Sequence, residues 1–337
     1  MKKRKDGRYV KSIVDERTGK RVYFYGSTER EVNKKVLAYS TKAEEGRTFK
    51  EVADEWWEET YERIAPNTVK GYKAALKRAV EEFGDDPISD IKARDISKWL
   101  RSLASKGYAS KTVQNHKIVI SRIMHLAIIE GDIEFNPATE AEVPRGLPRK
   151  KRPPASKHDE QIVRESAHIW LFPYAALMTG MRKGELLALQ WRDIDFENNS
   201  ILVSKSVYFD NNTPRIKIPK TDAGVRCVML LDGLKEELLK RKGAPDEYIF
   251  SEDGGKTPYK EMRYDLLMRK FHEQTGTSAT AQQFRKTFAS IAAAKKIDPK
   301  VLQSIIGHTD IRLTLQVYAD MRDEAWERAK DLLNEEK

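Results

Sequence analysis

Residues 280–318 read TAQQFRKTFASIAAAKKIDPKVLQSIIGHTDIRLTLQVY, and this stretch decides how the second half of the chain is read. Thr280 with Gln283 has the form of a capping box, so a helix is expected over residues 281–295. Arg285 then falls in its second turn, beside Gln282 on one face. A helix over residues 299–306 stops at Gly307-His308, and Thr309-Asp310 starts another over residues 311–319. Tyr318 lies late in that helix. Alone, each of these residues has an ordinary reading: a core aromatic for Tyr318, a helix-end cap contact for His308.

Two upstream segments change the weight of that reading. In TGMRKGE at 179–185, Arg182 is expected in the opening turn of a helix that begins after Gly180. Glu185, three residues on, can reach and orient it. The ordinary alternative is a surface Arg–Glu pair worth a few tenths of a kcal/mol. In PKT at 219–221, Lys220 sits at the rim of an expected β-hairpin. Three strand-like runs surround it: 200–209, 215–219 and 225–231, with turns at Asp210-Asn211-Asn212 and Thr221-Asp222-Ala223-Gly224. Cys227, the single cysteine, lies in the run VRCVML and is expected to be a small buried hydrophobe; one cysteine excludes an internal disulfide and a cysteine-rich zinc site.

These residue types suit attack of a phenol on a phosphodiester. A phenol has a reference pKa of ~10, so about one in a thousand is ionised at pH 7. The phosphorus must therefore be made electrophilic, the phenol's proton removed and the leaving oxygen protonated. Planar guanidinium groups can each donate two parallel hydrogen bonds to the non-bridging oxygens and keep their charge. A lysine among arginines becomes acidic enough to protonate a leaving group. The order Arg182, Lys220, Gln282-x-x-Arg285, Gly307-His308, Tyr318 resembles the signature of the tyrosine recombinases, the phage-integrase family, in essentially the whole chain. That resemblance implies that Tyr318 attacks the scissile phosphate to give a 3′-phosphotyrosyl link and a free 5′-hydroxyl. It implies Arg182 and Arg285 as the phosphate clamp, Lys220 as general acid and His308 as a further donor. No cofactor or metal is implied, and the sequence has no GxxxxGK[ST], HExxH or CxxC pattern. One position departs: the family usually has histidine three before the second arginine and often one after it, where this chain has Gln282 and Lys286. Glutamine cannot accept a proton at pH 7, so a DNA-binding relative that barely cuts stays open, as does a relaxing topoisomerase with the same chemistry.

The front of the chain points to polyanion binding. The net charge is +10, and residues 1–21 carry nine Lys/Arg against three acids. Residues 1–46 are expected to form a small β-sheet plus helix, with alternation over 7–14 and 21–25 and a helix over 28–42 bearing Val32, Val36, Leu37 and Tyr39. This part resembles the arm-binding module of mobile-element integrases, which implies DNA contacts from Lys2, Lys3, Arg4, Lys5 and Arg8. Residues 47–142 read as four helices, the first opened by the capping box Thr48–Glu51. His116 and His125 on the last have no partners for a metal site. The block resembles the family's SAM-like core-binding domain, implying Lys70, Lys73, Lys111, Thr112 and Lys117 as DNA-facing groups. Residues 143–157 hold six cations, no acid and four prolines, which predicts an extended linker whose Arg149, Lys150, Lys151 and Arg152 contact DNA. Residues 158–337 make the mixed α+β catalytic domain, with a last helix over 323–334.

The expected fold is therefore multidomain and mainly α with small sheets. The expected partner is double-stranded DNA at core and arm sites, bound by a homotetramer that is monomeric when free and is helped by an accessory directionality protein. No apolar run approaches the ~20 residues that span a bilayer, and a DNA-associated cytoplasmic protein of a bacterial host is expected.

Overall fold

The computed structural model describes residues 1–3, 6–14, 21–148, 152–218, 225–307 and 310–319. It divides into two units, Met1–Lys150 and Lys151–Lys337. Arg4, Lys5, Arg149, Lys150, Lys151, Lys220 and His308 lie outside the described residues, as do the turn at 221–224 and the expected helix over 323–334.

In the first unit, strands β1 (Lys2–Lys3), β2 (Tyr9–Val14) and β3 (Arg21–Gly26) form one antiparallel sheet in that order. The β2–β3 register runs from Tyr9 opposite Gly26 to Val14 opposite Arg21. Helix α1 (Glu29–Glu45) starts at Thr28, whose side chain accepts from the Glu31 amide, and covers the sheet with buried Val32 and Val36. Leu37, expected in that stripe, is exposed. One residue past Val36 is a turn of about 100° around the helix, and Tyr39 on Phe24 supplies the remaining cover.

Helices α2 (Phe49–Tyr61), α3 (Pro66–Phe83), α4 (Ala93–Ser105), α5 (Ser110–Ile129) and α6 (Pro137–Glu140) follow. The expected capping box is formed, with the Thr48 amide on Glu51 at 2.9 Å and the Glu51 amide on the Thr48 hydroxyl at 3.3 Å. Trp56, Tyr72, Leu76, Ile96, Trp99, Leu100, Ile120, Ile123 and Met124 fill a common core. His116 belongs to this core and His125 to the surface. The His116 ring lies against Trp99 and Tyr108, with Nδ1 on the Thr112 carbonyl at 2.7 Å and Nε2 beside Arg78.

Burial lowers the His116 pKa below 6.5, the Thr112 hydrogen bond opposes this and the Arg78 charge adds to it. The folded value lies below the unfolded one. The contribution to stability is therefore complete above the unfolded value and is lost as pH falls through the folded value. Protein carrying His116→Gln is expected to show a flatter loss of melting temperature between neutral and acid pH than the wild type. An equal slope in both proteins would remove this histidine from the acid response.

The stretch 143–157 is less free than its prolines and charges suggest. Val143 and Leu147 pack against the helical core, and the Ser110 amide donates to the Pro148 carbonyl at 3.0 Å. In the second unit, the Arg152 carbonyl accepts from Lys286 Nζ at 2.5 Å, and the Ala155 amide donates to the Thr287 hydroxyl at 2.8 Å. Proline removes its own N–H and leaves neighbouring carbonyls and apolar side chains able to pack.

The second unit begins with α7 (Lys157–Glu165), α8 (Leu171–Thr179) and α9 (Lys183–Leu187). Strands β4 (Ile194–Asp195), β5 (Ser200–Val203), β6 (Ser206–Asp210), β7 (Thr213–Lys217) and β8 (Arg226–Met229) make two sheets, β4-β5-β8 and β6-β7. The expected strand 200–209 is thus broken in two. Lys205 turns aside to pair with Asp193 at 3.1 Å, and the halves join different sheets. Asn211 and Asn212 take positive φ in the turn between β6 and β7. Cys227 is exposed, contrary to expectation. Its neighbours Arg226 and Val228 lie opposite the buried Val203 and Ile201, so strand parity turns Cys227 outward.

Helices α10 (Asp232–Leu239), α11 (Glu261–Thr275), α12 (Ala281–Ala294), α13 (Pro299–Ile306) and α14 (Ile311–Ala319) complete the unit. Phe172, Leu177, Met181, Leu186, Phe271 and Phe284 form the main core, where α8 packs on α12. A smaller cluster of Ala289, Leu302 and Ile306 holds α13 to α12 and receives Val317 and Tyr318 of α14. Among the described residues no helix is long and apolar enough to cross a membrane.

Candidate active site

The end of α8 places the first arginine. Thr179 Oγ1 donates to the Ala175 carbonyl and accepts from the Met181 amide, while Gly180 closes the helix at φ +63°. A Cβ at Gly180 would also stand 2.5 Å from the Phe288 ring, so only glycine fits. Arg182 is the N-cap of α9 rather than part of its first turn. Its Nη1 donates to Glu185 Oε1 at 2.8 Å, and its amide donates to Glu185 Oε2 at 2.8 Å. The expected orienting pair is therefore formed. Nearly half of the Arg182 side chain (45%) stays accessible, leaving guanidinium N–H groups open to a ligand.

Arg285, on the buried face of α12, reaches the same place from the opposite side. Its Nη1 donates to the Gly180 carbonyl at 2.6 Å and its Nη2 to the Ile306 carbonyl at 2.5 Å. The residue is 4% exposed, and no carboxylate pairs with it among the described residues. Burial, then the Arg182 charge, with Arg226 adding and Glu185 opposing, brings its guanidinium down to about 9, still cationic at neutral pH.

A third guanidinium, Arg226 at the start of β8, was not singled out in the sequence. It donates to both oxygens of Glu185, at 3.0 and 2.7 Å, and through Nε to the Ile305 carbonyl at 2.9 Å. The available signal was parity: in a strand paired as Arg226 opposite Val203, the arginine takes an inward position. Burial would raise the Glu185 carboxyl. The hydrogen bonds and charge of Arg226, with the Arg182 contacts, outweigh it and hold the group at about 2.

Three arginines from separate segments thus converge on the last carbonyls of α13: Arg226 on Ile305, Arg285 on Ile306 and Arg182 on Gly307, the last at 2.6 Å. A helix C-terminus offers unpaired carbonyls and the negative end of its dipole, so cations collect there. The described cluster of Arg182, Arg226, Arg285 and Glu185 still carries three positive charges against one negative. Such a surplus, partly desolvated, favours an anion.

Tyr318 stands apart from this cluster. Its hydroxyl donates to the Ile297 carbonyl, just before the N-cap of α13, while the arginines hold the C-terminal end. An eight-residue helix rises about 12 Å, so phenol and guanidinium groups lie at opposite ends of α13. The sequence led us to expect them side by side. The half-buried phenol is satisfied by the Ile297 carbonyl and the arginines by the carbonyls at the other end of the helix. Burial, then the Asp298 charge, raises the Tyr318 phenol above its usual value, so in this position it is held protonated. Gln282 is exposed one turn before Arg285.

In the first unit Lys2, Lys3 and Arg8 are exposed on or beside the small sheet, and Lys70, Lys73 and Lys111 on α3 and α5. Thr112 is half-buried, with its carbonyl taken by His116. Lys117 differs from expectation: its ammonium is tied to the Thr139 and Ala141 carbonyls at 3.2 and 2.6 Å, which anchors α6. Arg152 is exposed.

Two family descriptions match the chain, "Phage integrase family" over residues 160–325 and "Phage integrase central domain" over residues 49–143. The tyrosine recombinase XerA of Thermococcus onnurineus is 27% identical over 83% of this chain and 94% of its own length. The ICEBs1 integrase of Bacillus subtilis is 26% identical over 80% of this chain and 78% of its own. Among solved structures, the Tn1549 transposon integrase in complex with transposon right end DNA superposes with a TM-score of 0.65 at 25% identity, covering 84% of this chain and 99% of that one. A lambda integrase dimer bound to a core site shares the fold at 20% identity, with a TM-score of 0.62 over 94% of this chain and 93% of that one.

Proposed function

The chain belongs to the phage integrase family, whose members are tyrosine recombinases that cut and rejoin DNA, and from that premise we propose how its own residues carry out strand cleavage. The observation that carries the reading is Arg285: a buried guanidinium that has no carboxylate partner among the described residues, beside Arg182 and Arg226, which share Glu185. Burying unpaired positive charge costs several kcal/mol by order of magnitude. Occupation of the site by a phosphodiester offsets that cost.

Arg182 and Arg285 grip the non-bridging oxygens of the scissile phosphate. Tyr318 leaves the Ile297 carbonyl, its phenolic proton passes to solvent because Gln282 cannot accept it, and its Oη attacks phosphorus. The bond to the 5′-oxygen breaks, Lys220 gives that oxygen a proton, and His308 donates to the phosphate. The phosphotyrosyl ester retains the bond energy, so rejoining needs no cofactor. Residues 1–46 hold arm sites, residues 47–142 hold the core site, residues 143–157 link them to the catalytic part at 158–337, and four copies act on two duplexes. Lys2, Lys3, Arg8, Lys70, Lys73, Lys111 and Arg152 supply backbone contacts that set position along the duplex. The free protein is a monomer, an accessory protein sets direction, and the protein works in the cytoplasm of a bacterial host.

Nicked duplexes tiling the DNA that flanks the gene in its source genome test this reading. A detergent-resistant protein–DNA adduct on one of them is expected. Binding to those duplexes without any adduct would overturn cleavage as the activity. Gln282→His is expected to raise the adduct-forming rate, toward the ~10²-fold that a positioned proton acceptor contributes. No gain would show that the phenol's proton already has an adequate acceptor.

A further inference from the structure

We infer that Arg226 is a positioning residue for strand cleavage, fixing Arg182 through the carboxylate they share, Glu185, and seating the Gly307 turn. It does not serve as a phosphate donor itself, because both of its Nη groups are taken by the Glu185 carboxylate and its Nε by the Ile305 carbonyl, whereas Arg285 has no carboxylate partner among the described residues. The inference rests on the proposed clamp role of Arg182.

The contacts close a ring. Arg226 holds both oxygens of Glu185, which receives Nη1 and the amide of Arg182. Arg182 Nη2 reaches the Gly307 carbonyl, two residues from the Ile305 carbonyl that accepts Arg226 Nε. Every side of the ring is a charge-assisted hydrogen bond or the end of α13. Gly307 and Arg226 also match in shape. At φ +65° a Cβ on residue 307 would stand 2.9 Å from Arg226 Cζ and 3.0 Å from Nε. The left-handed turn and the guanidinium beneath it require a glycine there. Arg182 is accessible and would sample other rotamers if Glu185 were free to turn, since one carboxylate held at four points cannot rotate and one held at two can. Lysine at 226 supplies a single nitrogen and cannot span two carboxylate oxygens and a carbonyl.

A double-mutant cycle on the nicked duplex that wild type cleaves tests the coupling directly. Arg226→Met is expected to lower the rate of adduct formation by roughly 10–100-fold, the usual effect of losing a group that orients a site residue, with duplex affinity within about twofold of wild type. Arg226→Lys should recover part of the loss. In an Arg182→Ala background, the further loss on adding Arg226→Met or Arg226→Lys should stay under about threefold, since nothing remains to be oriented. Full additivity, or a wild-type rate for both Arg226 variants while Arg182→Ala is crippled, overturns the inference and leaves the clamp standing. A wild-type rate for Arg182→Ala overturns the clamp and this inference with it. Should Arg226→Met fail to fold, the Arg226→Lys arm of the cycle distinguishes the same outcomes.

Discussion

Protein carrying Tyr318→Phe is expected to bind its duplex as tightly as the wild type and to form no covalent adduct, a loss on the order of 10⁶-fold, as when a catalytic nucleophile is deleted. The phenol oxygen is the atom that would become esterified, and the residues on either side of it, Val317 and Ala319, carry no hydroxyl. The fold should barely notice. Phenylalanine keeps the ring beside Leu302 and Ile306 and gives up only the hydrogen bond to the Ile297 carbonyl, worth about 0.5–1.5 kcal/mol. Melting temperature and duplex affinity therefore separate chemistry from stability. An adduct that survives the substitution, seen on a denaturing gel, would remove Tyr318 as the nucleophile. The substitution bears on the resting geometry as well. The phenol is docked at the far end of α13, so the proposed attack by Tyr318 implies a shift of α14 on α13 and α12. Among the described residues, the small apolar cluster around Ala289, Leu302 and Ile306 holds α14 there, a modest contact compared with the main core.

Arg285→Lys is expected to lower the cleavage rate by about 10²–10³-fold, the usual cost of losing one donor to a charged transition state. Lysine keeps the positive charge and loses the planar fork. One ammonium cannot hold the Gly180 and Ile306 carbonyls while also facing phosphate. Charge and geometry can be separated by the substrate. A neutral methylphosphonate at the scissile position has one anionic oxygen fewer to stabilise, so the gap between wild type and variant should shrink there. A gap of equal size on both substrates would mean that Arg285 acts by holding α8 and α13 together and has no contact with phosphate. The lowered guanidinium value, about 9, adds a direction. If loss of the Arg285 charge limits cleavage, the rate should fall as pH rises through that value, and Arg182→Ala should move the fall upward by removing a neighbouring positive charge.

Local signals made much of the second unit legible. The limits of α13 and α14 agree with those read from Pro299, Gly307 and the start at Asp310, because caps and stops act over a few residues. The Arg182–Glu185 pair was legible for the same reason: three residues apart at a helix start, two side chains meet whatever the rest of the chain does. The paired asparagines at 211 and 212 marked their turn. Cys227 and the break at Ser204-Lys205 were misread, since both depend on which strand pairs with which. Leu37 was misread because composition gives a stripe its width and packing alone sets its edge.

By itself, the amino-acid order determined most of the described helices, the family signature and the identity of the two arginines that meet near Gly180 and Gly307. Tertiary structure alone decided that a third arginine, on a strand paired with a segment some twenty residues earlier, binds the same carboxylate. It also decided that the phenol rests at the opposite end of α13. Local hydrogen bonds follow from short spacings along the chain. The meeting of β8, α9 and α13 follows from strand register and core packing, which no short window of residues contains.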